Sequence, residues 1–275
     1  MTDESENKGL ISAATEIAKA VPVYQDLMQP AARELGKGLE TVAKTVNIAL
    51  APLAAMVWGY ERIQGWLESQ LSHELREVNP NSIVTPNPHV VGPAVEALRY
   101  AAENENLREM FAKLIATSMT KELAERAHPT FVEILKQISS DEAKIIPGFL
   151  NNPYQPFISI EVVKEGHGRR SVLAHWTDLA LKANCDYPSY CSVYMENLAR
   201  LGLLEFYNDA EVEETAYKEL ESTESILRLI ESTKKETDGG EIVIERGVIT
   251  RTMLGHMFMQ ACVGETSGIQ ANLKV

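Results

Sequence analysis

The residue types that could hold a metal or act as a nucleophile are few in this chain and lie far apart. Three cysteines occur, at positions 185, 191 and 262. Five residues separate Cys185 from Cys191, and no second close pair of ligands follows, whereas a structural zinc site is built from tightly spaced pairs. An odd number of cysteines also argues against a disulfide framework. We expect Cys185, Cys191 and Cys262 to be core or near-surface thiols in a reducing compartment.

The histidines and serines give no catalytic pattern either. No two histidines stand four residues apart, as a helical metal site requires; they are His73, His89, His128, His167, His175 and His256. The chain has no Gly-x-Ser-x-Gly elbow and no Gly-x4-Gly-Lys phosphate loop. We therefore predict a non-enzymatic protein, and we assign no catalytic, cofactor-binding or metal-binding residue.

The composition predicts a two-part globular chain. Its 275 residues are 45% hydrophobic, which provides enough apolar material for two cores. A net charge of −13 and a pI near 5.0 argue against broad binding to nucleic acid or to an anionic membrane. The first ten residues, MTDESENKGL, carry three acids and lack the basic start of a secretory signal. We expect a cytoplasmic protein.

An N-terminal helical arm is predicted over residues 1–78. Its longest helical pattern is Ala31–Val78, within which Pro52 removes an intrahelical hydrogen bond. The stretch Thr45–Tyr60 contains sixteen residues without a charge. At about 1.5 Å per residue it reaches roughly 24 Å, less than a hydrocarbon core of about 30 Å. We favour a buried hairpin or bent core helix there, and a membrane-inserting segment stays the alternative.

A proline-rich linker and a central helical region follow the arm. Residues 79–93 contain four prolines, which predict extended or turn backbone. Residues 94–150 predict short helices with clear start signals. His128 precedes Pro129, a residue suited to the first helical position. Ser139 stands three residues before Glu142, the spacing of a capping box.

The motifs of this central region, taken as a set, resemble a known bacterial family. They are Leu107–Leu114 (LREMFAKL), His128-Pro129 with Phe131–Gln137 (FVEILKQ), and Ser140–Ala143 (SDEA), preceded by Pro86, Pro88, Val90 and Gly92-Pro93 and followed by Leu201–Glu205 (LGLLE). The set is similar to the Abi-alpha (abortive infection alpha) family. The similarity is clearest over Ala31–Leu150, and beyond Leu150 weaker matches follow in the same order along the chain to about Val263. The resemblance implies a role in bacterial defence against phage, and it implies no catalytic residue.

Residues 151–264 are predicted to form a winged helix-turn-helix-like domain, with 265–275 as a tail. The elements are a strand at Phe157–Val163, helices at Ser171–Lys182 and Pro188–Arg200, strands at Leu203–Tyr207 and Glu241–Glu245, and a last helix capped by Thr250. The second helix is expected to bury one side, lined by Tyr190, Val193, Tyr194, Leu198 and Leu201. Gly202 is expected to end this helix in the left-handed conformation. The predicted fold class is mostly α: an N-terminal helical bundle followed by a winged helix-turn-helix-like α+β domain with an inserted acidic helix.

The charges of this domain favour a protein partner over DNA. Its reading helix, Pro188–Arg200, offers Asn197 and Arg200 to base edges and also carries Glu196. The inserted segment 208–240 has ten acidic and four basic residues, a net charge of −6, which opposes approach to phosphates. We therefore interpret the domain as a protein-binding or dimerising scaffold, and DNA binding stays the alternative.

The insert also contains an amphipathic helical pattern, formed by Val212, Ala216, Leu220, Leu227 and Ile230. We expect this helix to pack on its own domain, and a contact with a partner or a second copy is the alternative.

One local concentration of basic residues precedes the reading helix. It comprises Lys164, His167, Arg169, Arg170, His175 and Lys182. Because Glu161, Glu165 and Asp178 lie among them, we interpret the group as a solvated loop and helix face. A phosphate or nucleotide contact at Arg169 and Arg170 is the alternative, but no cofactor or small-molecule ligand is identified.

Three hypotheses for function follow from the sequence. The first is a non-enzymatic anti-phage defence protein that acts through a protein partner or through its own oligomer. The second is a membrane-acting effector that uses residues 45–60. The third is a winged-helix transcriptional regulator, which depends on the predicted order of strands and helices alone.

Overall fold

A computed structural model describes residues 61–101, 104–237 and 240–264. The chain divides into two compact units, Met1–Glu133 and Ile134–Val275. The predictions for residues 1–60, including those for Thr45–Tyr60, lie outside the described residues, as does the predicted tail 265–275.

Three helices form most of the first unit that the structure describes. They are α1 (Glu61–Glu74), α2 (Pro88–Ala101) and α3 (Glu105–Met119). Both α1 and α2 pack against α3, because each carries apolar residues at three- and four-residue steps. Leu67 and Leu71 of α1, Leu98 of α2 and Leu114 of α3 are fully buried.

The predicted linker is shorter than residues 79–93. A 3₁₀ turn occupies Pro80–Ser82, and the backbone after it pairs with the exit of α3, with an isolated bridge between Ile83 and Thr120. The prediction of extended backbone is wrong from Pro88 onward, where α2 begins. Proline suits a first helical position because it has no N–H to leave unpaired, and the Asn87 side chain accepts the next N–H, that of His89, at 3.0 Å.

Short helices join the two units along the chain. They are α4 (Pro129–Leu135), α5 (Ser140–Ile145) and α6 (Gly148–Asn151). The predicted cap at His128 is confirmed, since its Nδ1 accepts the Thr130 N–H at 3.2 Å. The predicted capping box is also confirmed. Ser139 Oγ accepts the Glu142 N–H at 3.2 Å, and Glu142 Oε2 accepts the Ser139 N–H at 2.6 Å.

The second unit is organised around a four-stranded antiparallel sheet. Its strands are β1 (Tyr154–Lys164), β2 (Gly168–Trp176), β3 (Leu204–Tyr207) and β4 (Glu241–Arg251), in the order β2-β1-β4-β3. Its helices are α7 (Leu179–Lys182), α8 (Cys191–Arg200), α9 (Glu214–Glu221), α10 (Glu224–Glu236) and α11 (Met253–Cys262). The strands predicted near residues 157, 203 and 241 are confirmed, and two of them are longer than predicted.

The predicted fold class is wrong, because the chain is mixed α+β and its second unit is not a winged helix. A winged helix needs a helix directly after the first strand, and we predicted one at Ser171–Lys182. Residues Gly168–Trp176 instead form β2, which pairs with β1 as a hairpin. Only Leu179–Lys182 is helical.

The misleading signal came from bulges in β2. Leu173 and Trp176 are three residues apart, a helical spacing, yet they pair with Ile160 and Ile158, which are two apart. The extra residue on β2 is accommodated beside His175, whose φ of 48° lies in the left-handed region. A second shift places Ser171 opposite Glu161. The apolar residues of β2 therefore do not alternate in the sequence.

Helices cover both faces of the sheet. On one face, Phe157 of β1 packs edge-on against Phe206 of β3, and α8 packs against β2 and β3. Arg246 of β4, which pairs with Ile158 of β1, lies on the other face of the sheet. Helix α9 of the insert packs on that face. The last helix begins after Arg251, so the predicted cap at Thr250 is wrong. Thr252 is the cap, and its Oγ1 accepts the Gly255 N–H at 2.9 Å.

Alanine substitutions at two helical glycines should change the free energy of unfolding in opposite directions, which tests the described fold. A Cβ on Gly255 of α11 would collide with the Leu203 carbonyl, whereas a Cβ on Gly65 of α1 would meet nothing within 4 Å. We expect Gly255→Ala to lower the free energy of unfolding by about 2 kcal/mol, through overpacking. Gly65→Ala should raise it by about 1 kcal/mol, because alanine is the better helix former. Urea unfolding followed by circular dichroism measures both, and a stabilising Gly255→Ala would contradict the described position of α11.

Candidate protein-binding surface

Helix α8 of the second unit presents one side to the core and one side to solvent. A 3₁₀ turn at Pro188–Tyr190 leads into it, and Gly202, with a φ of 77°, ends it as predicted. Its buried residues are Cys191, Met195 and Leu198, at helical spacing. The predicted lining of this helix was partly wrong, because Tyr190 and Val193 face solvent.

A buried carboxylate fixes the start of α8. Asp141 of α5 is only 3% exposed. Its carboxylate accepts hydrogen bonds from the backbone N–H groups of Asp186 and Tyr187, both at 2.8 Å, and from the Tyr194 hydroxyl at 2.9 Å. Lys144 Nζ lies 3.3 Å from the same carboxylate and 2.9 Å from Asp186. One side chain thus holds the loop before α8 and the first turns of α8 itself.

Hydrogen bonding decides the charge state of Asp141. Burial raises the pKa of this carboxyl, but the hydrogen bonds from Asp186, Tyr187 and Tyr194 outweigh that effect, and the net pKa is lowered. Burial and the same carboxylate raise the pKa of Tyr194. Asp141 is therefore ionised at neutral pH and Tyr194 is its neutral donor.

The polar residues of α8 that were predicted to be available to bases make hydrogen bonds within the chain. The Asn197 amide donates to Glu142 Oε1 at 2.6 Å and to the Gln137 carbonyl at 3.2 Å. Arg200 donates to Asn197 Oδ1 and to Gln137 Oε1. Glu196 Oε1 lies 3.6 Å from His175 Nδ1. These contacts tie α8 to α5 and to β2.

Three exposed aromatic or apolar residues lie at the start of α8: Tyr187 in the loop before it, Tyr190 in the 3₁₀ turn, and Val193 on the helix itself. The charged Glu196 and Arg200 of α8 are exposed as well. Tyr187, Tyr190 and Val193 are 65%, 56% and 57% exposed. The two tyrosine rings meet edge-on with centroids 6.4 Å apart, and Val193 follows Tyr190 by three residues. We call these three residues the α8 aromatic face. A second exposed apolar group lies on α11 and comprises Met253, Leu254 and Met257.

The cysteines lie where the sequence predicted. Cys191 and Cys262 are buried, and Cys185 is half-buried with its Sγ 3.5 Å from the Asp141 carbonyl. Burial and the Asp141 charge raise the pKa of Cys185 to about 11, so its thiol is protonated at neutral pH. Among the residues that the structure describes, no three His, Cys, Asp or Glu side chains are grouped as metal ligands.

Arg169, in the local basic group, is neutralised by acids on neighbouring strands. Its guanidinium lies 3.0 Å from Glu161 of β1 and 2.8 Å from Glu245 of β4. Lys182 of the same group pairs with Asp178 at 3.0 Å.

The acidic insert is attached to the sheet through two residues that the sequence did not single out. Arg246 of β4 lies 2.7 Å from Glu214 and 2.8 Å from Glu221, both on α9. The buried Tyr217 donates its hydroxyl to the Gly247 carbonyl at 3.1 Å. The insert contains two helices where one was expected. Leu220 packs inward as predicted, whereas Leu227 is 53% exposed.

Comparison with known proteins identifies the family. A family model described as "Abortive infection alpha" matches residues 59–262, most of the chain. The chain belongs to the abortive infection alpha family. The predicted resemblance is thereby confirmed, and the Abi-alpha chain is a defence protein of the abortive-infection type.

Other comparisons add little to the family match. A search of curated proteins finds no match. One similar solved structure is that of an uncharacterized protein from the hydrocarbon-degrading marine bacterium Alcanivorax borkumensis SK2. It is 14% identical over 49% of this chain and 92% of its own, with a TM-score of 0.34. No helix among the described residues of the Abi-alpha chain is both long and apolar enough to cross a bilayer.

The contribution of the Asp141 carboxylate to the free energy of unfolding should depend on pH. We expect Asp141→Asn to lower the free energy of unfolding by about 2 kcal/mol at pH 7, because buried donors lose a charged acceptor. The folded pKa of Asp141 is lowered, so its contribution is complete above the unfolded value of about 3.9 and is lost as the pH falls further. The difference in free energy of unfolding between the wild type and Asp141→Asn should therefore decrease and disappear below about pH 4.

Chemical unfolding at pH 7 and at successively lower pH measures this difference in the free energy of unfolding. The control is Asp186→Asn, which removes an exposed charge while leaving its N–H donor in place, and it should cost less than about 1 kcal/mol. Equal losses in the two variants at pH 7, or a gap for Asp141→Asn that persists in acid, would refute the assigned role of this carboxylate.

Proposed function

We propose that this Abi-alpha chain acts in phage defence without catalysis, by binding a protein through the α8 aromatic face. The observation that supports this most directly is the exposure of Tyr187, Tyr190 and Val193, each by more than half, at the start of a helix whose leading loop is held from behind by Asp141. Tyrosine supplies large contact area at a low cost in side-chain entropy, and it is enriched in protein interfaces and their hot spots.

The surroundings of this face support a protein partner over a nucleic acid. Asn197 and Arg200, the residues of α8 suited to base edges, already bond to Glu142, Gln137 and each other. Arg169 lies between two carboxylates. The insert between β3 and β4 carries a net charge of −6. A phosphate backbone would meet repulsion there, whereas a protein surface of mixed charge would not.

The non-enzymatic part of the proposal is supported by how the reactive groups are engaged. Among the described residues of the second unit, Asp141 is the most deeply buried carboxylate. Its hydrogen bonds from Asp186, Tyr187 and Tyr194 join α5 to the loop before α8 and to α8 itself. The Cys185 thiol has a raised pKa and is therefore a poor nucleophile at neutral pH.

Plating of phage on a sensitive host that expresses the chain tests the proposal. The wild type should reduce plaque formation, and Val193→Asp should restore it at least tenfold, because a buried, unpaired charge in an interface weakens binding by more than about 1.4 kcal/mol. Val193 is the third residue of α8, where an aspartate is favourable to the helix, so the variant should fold normally.

The matched control is Leu227→Asp. Leu227 is exposed to a similar degree, lies in the first turns of α10, and gains the same charge. Protection should be unchanged in this variant. Full protection by a folded Val193→Asp, or a wild type without effect on a broad phage panel, would contradict the proposal, and loss of protection in both variants would show that the α8 aromatic face is not the specific site.

A further inference from the structure

We infer that the α8 aromatic face binds a basic segment of its protein partner, with one cationic side chain of that segment received by the Tyr187 and Tyr190 rings and the Asp186 carboxylate. This inference deepens the proposed function and rests on it for the choice of surface. It adds the chemistry of the partner, which is an arginine or lysine next to an apolar residue that contacts Val193.

The exposed carboxylate beside the face carries charge that its neighbours neutralise only in part. Lys144 Nζ lies 2.9 Å from Asp186 and 3.3 Å from Asp141, so one ammonium group serves two carboxylates. Asp141 is ionised, and the hydrogen bonds with Asp186 and Asp141 raise the pKa of Lys144, which keeps it charged. The Asp186 side chain is 67% exposed. The excess negative charge of this group can therefore be met by a partner at Asp186.

The wider surroundings of the face are negative as well. Residues 140–145 and 178–200, which include α5, α7 and α8, carry five acids and three bases, a net charge of −2. The buried Asp141 and Glu142 are among the five acids. The start of α8 adds about half a positive charge from its aligned peptide dipoles, which does not reverse the sign. A basic partner is thus attracted to this region, and an acidic partner is repelled.

The two exposed tyrosine rings are free to receive a cation. They meet edge-on, with centroids 6.4 Å apart. The cation–π contacts found among the described residues use other rings, with Arg99 over Tyr100, Arg108 over Trp66 and Arg246 over Tyr217. The face of a tyrosine ring attracts an ammonium or guanidinium group that lies within about 6 Å of the ring centroid. Tyr187 and Tyr190 therefore offer this contact to a partner.

Asp186 disfavours an occupant that is only apolar. Such an occupant would remove water from an exposed carboxylate without supplying a donor in return, and desolvation of an incompletely paired charge is costly. A cationic side chain supplies the donor. Its charged group can bond to the carboxylate while its methylene groups, or the flat guanidinium of an arginine, lie against an aromatic ring.

Val193 sets the second requirement on the partner. It is 57% exposed and follows Tyr190 by three residues, roughly 5 Å along the helix. It offers no hydrogen-bonding group in its side chain, so the partner residue that covers it should be apolar. A charge of either sign at position 193 should therefore weaken binding, whereas at position 186 the sign of the charge should decide.

A displayed library of random peptides, each about twelve residues long, provides the probe. The library is selected on the immobilised full chain, and the most enriched peptide is synthesised and its binding measured by fluorescence anisotropy. We expect enriched sequences to carry an arginine or lysine next to an apolar residue. Replacing that cationic residue with glutamine should weaken binding at least about fivefold, because both the cation–π contact and the ion pair are lost. Replacement with glutamate should weaken it further.

Variants of the chain locate the cation. Asp186→Lys should weaken the selected peptide at least about tenfold and should bind the glutamate peptide more tightly than the wild type does, a gain that a misfolded variant cannot give. Tyr190→Leu, which keeps an apolar side chain but has no aromatic ring, should weaken the selected peptide about threefold. The matched control is Glu231→Lys on α10, an equally large charge change at a side chain that is 69% exposed. It should alter the affinity less than about twofold.

Three results would overturn the inference. They are a library from which no sequence is enriched, enriched sequences without a cationic residue, and a Glu231→Lys variant that weakens binding as much as Asp186→Lys does. The last result would mean that the peptide responds to the total charge of the chain and not to this site.

Phage plating separates this inference from the proposed function. Asp186→Lys should lose protection, as Val193→Asp does, and so should Val193→Arg. If Asp186→Lys protects fully while Val193→Asp does not, the partner is not basic, and the proposed function stands without the inference. If the peptide binds with the expected charge dependence but Val193→Asp protects fully, the cation site is supported and the proposed function is overturned.

Discussion

The Asp141 carboxylate is the constraint on which the second unit depends. It lies in the first turn of α5, is almost completely buried, and receives hydrogen bonds from two consecutive backbone N–H groups and one phenol. Its neighbour Glu142 completes the capping box of the same helix and accepts from Asn197 of α8. An ionised group removed from water is stable only with such a set of donors, so these contacts form together or not at all. The position of α8 follows from them.

The sheet gives α8 its second support. Its outer strand β2 is bulged so that His175 stacks on Phe206 with ring centroids 4.0 Å apart, and the same histidine lies beside Glu196 of α8. On the opposite face, Arg246 and Tyr217 attach the acidic insert through ion pairs and one buried hydrogen bond. The insert therefore covers the sheet face away from α8. Its negative charge is therefore placed on the face of the sheet away from α8.

This arrangement gives the proposed protein-binding function a physical basis. In this chain, hydrogen bonds to Asp141 and Glu142 fix α8 and the loop before it, and Tyr187, Tyr190 and Val193 are exposed at the start of the helix. Rigid presentation reduces the entropy lost on binding, so a small surface can still recognise a partner.

Local sequence alone determined the features that depend on neighbouring residues. The capping box at Ser139, the cap at His128, the left-handed Gly202 and the strands that begin near residues 157, 203 and 241 were all predicted, because each is encoded within a few positions. The family resemblance was also visible in the sequence. The prediction that the cysteines are core or near-surface thiols followed from their number and spacing, which suit neither a disulfide framework nor a zinc site.

Tertiary structure alone decided the rest. Residues 168–176 have a helical spacing of apolar residues, and only pairing with β1 and two bulges make them a strand, which is why the winged-helix class was wrong. Asp141 was not singled out, since an acid in a helix's first turn is ordinary and its donors are more than forty residues away in the chain. Which side of α8 faces solvent was likewise misjudged for Tyr190 and Val193. The reason is physical: a helix buries whichever side its neighbours cover, and those neighbours come from distant parts of the sequence.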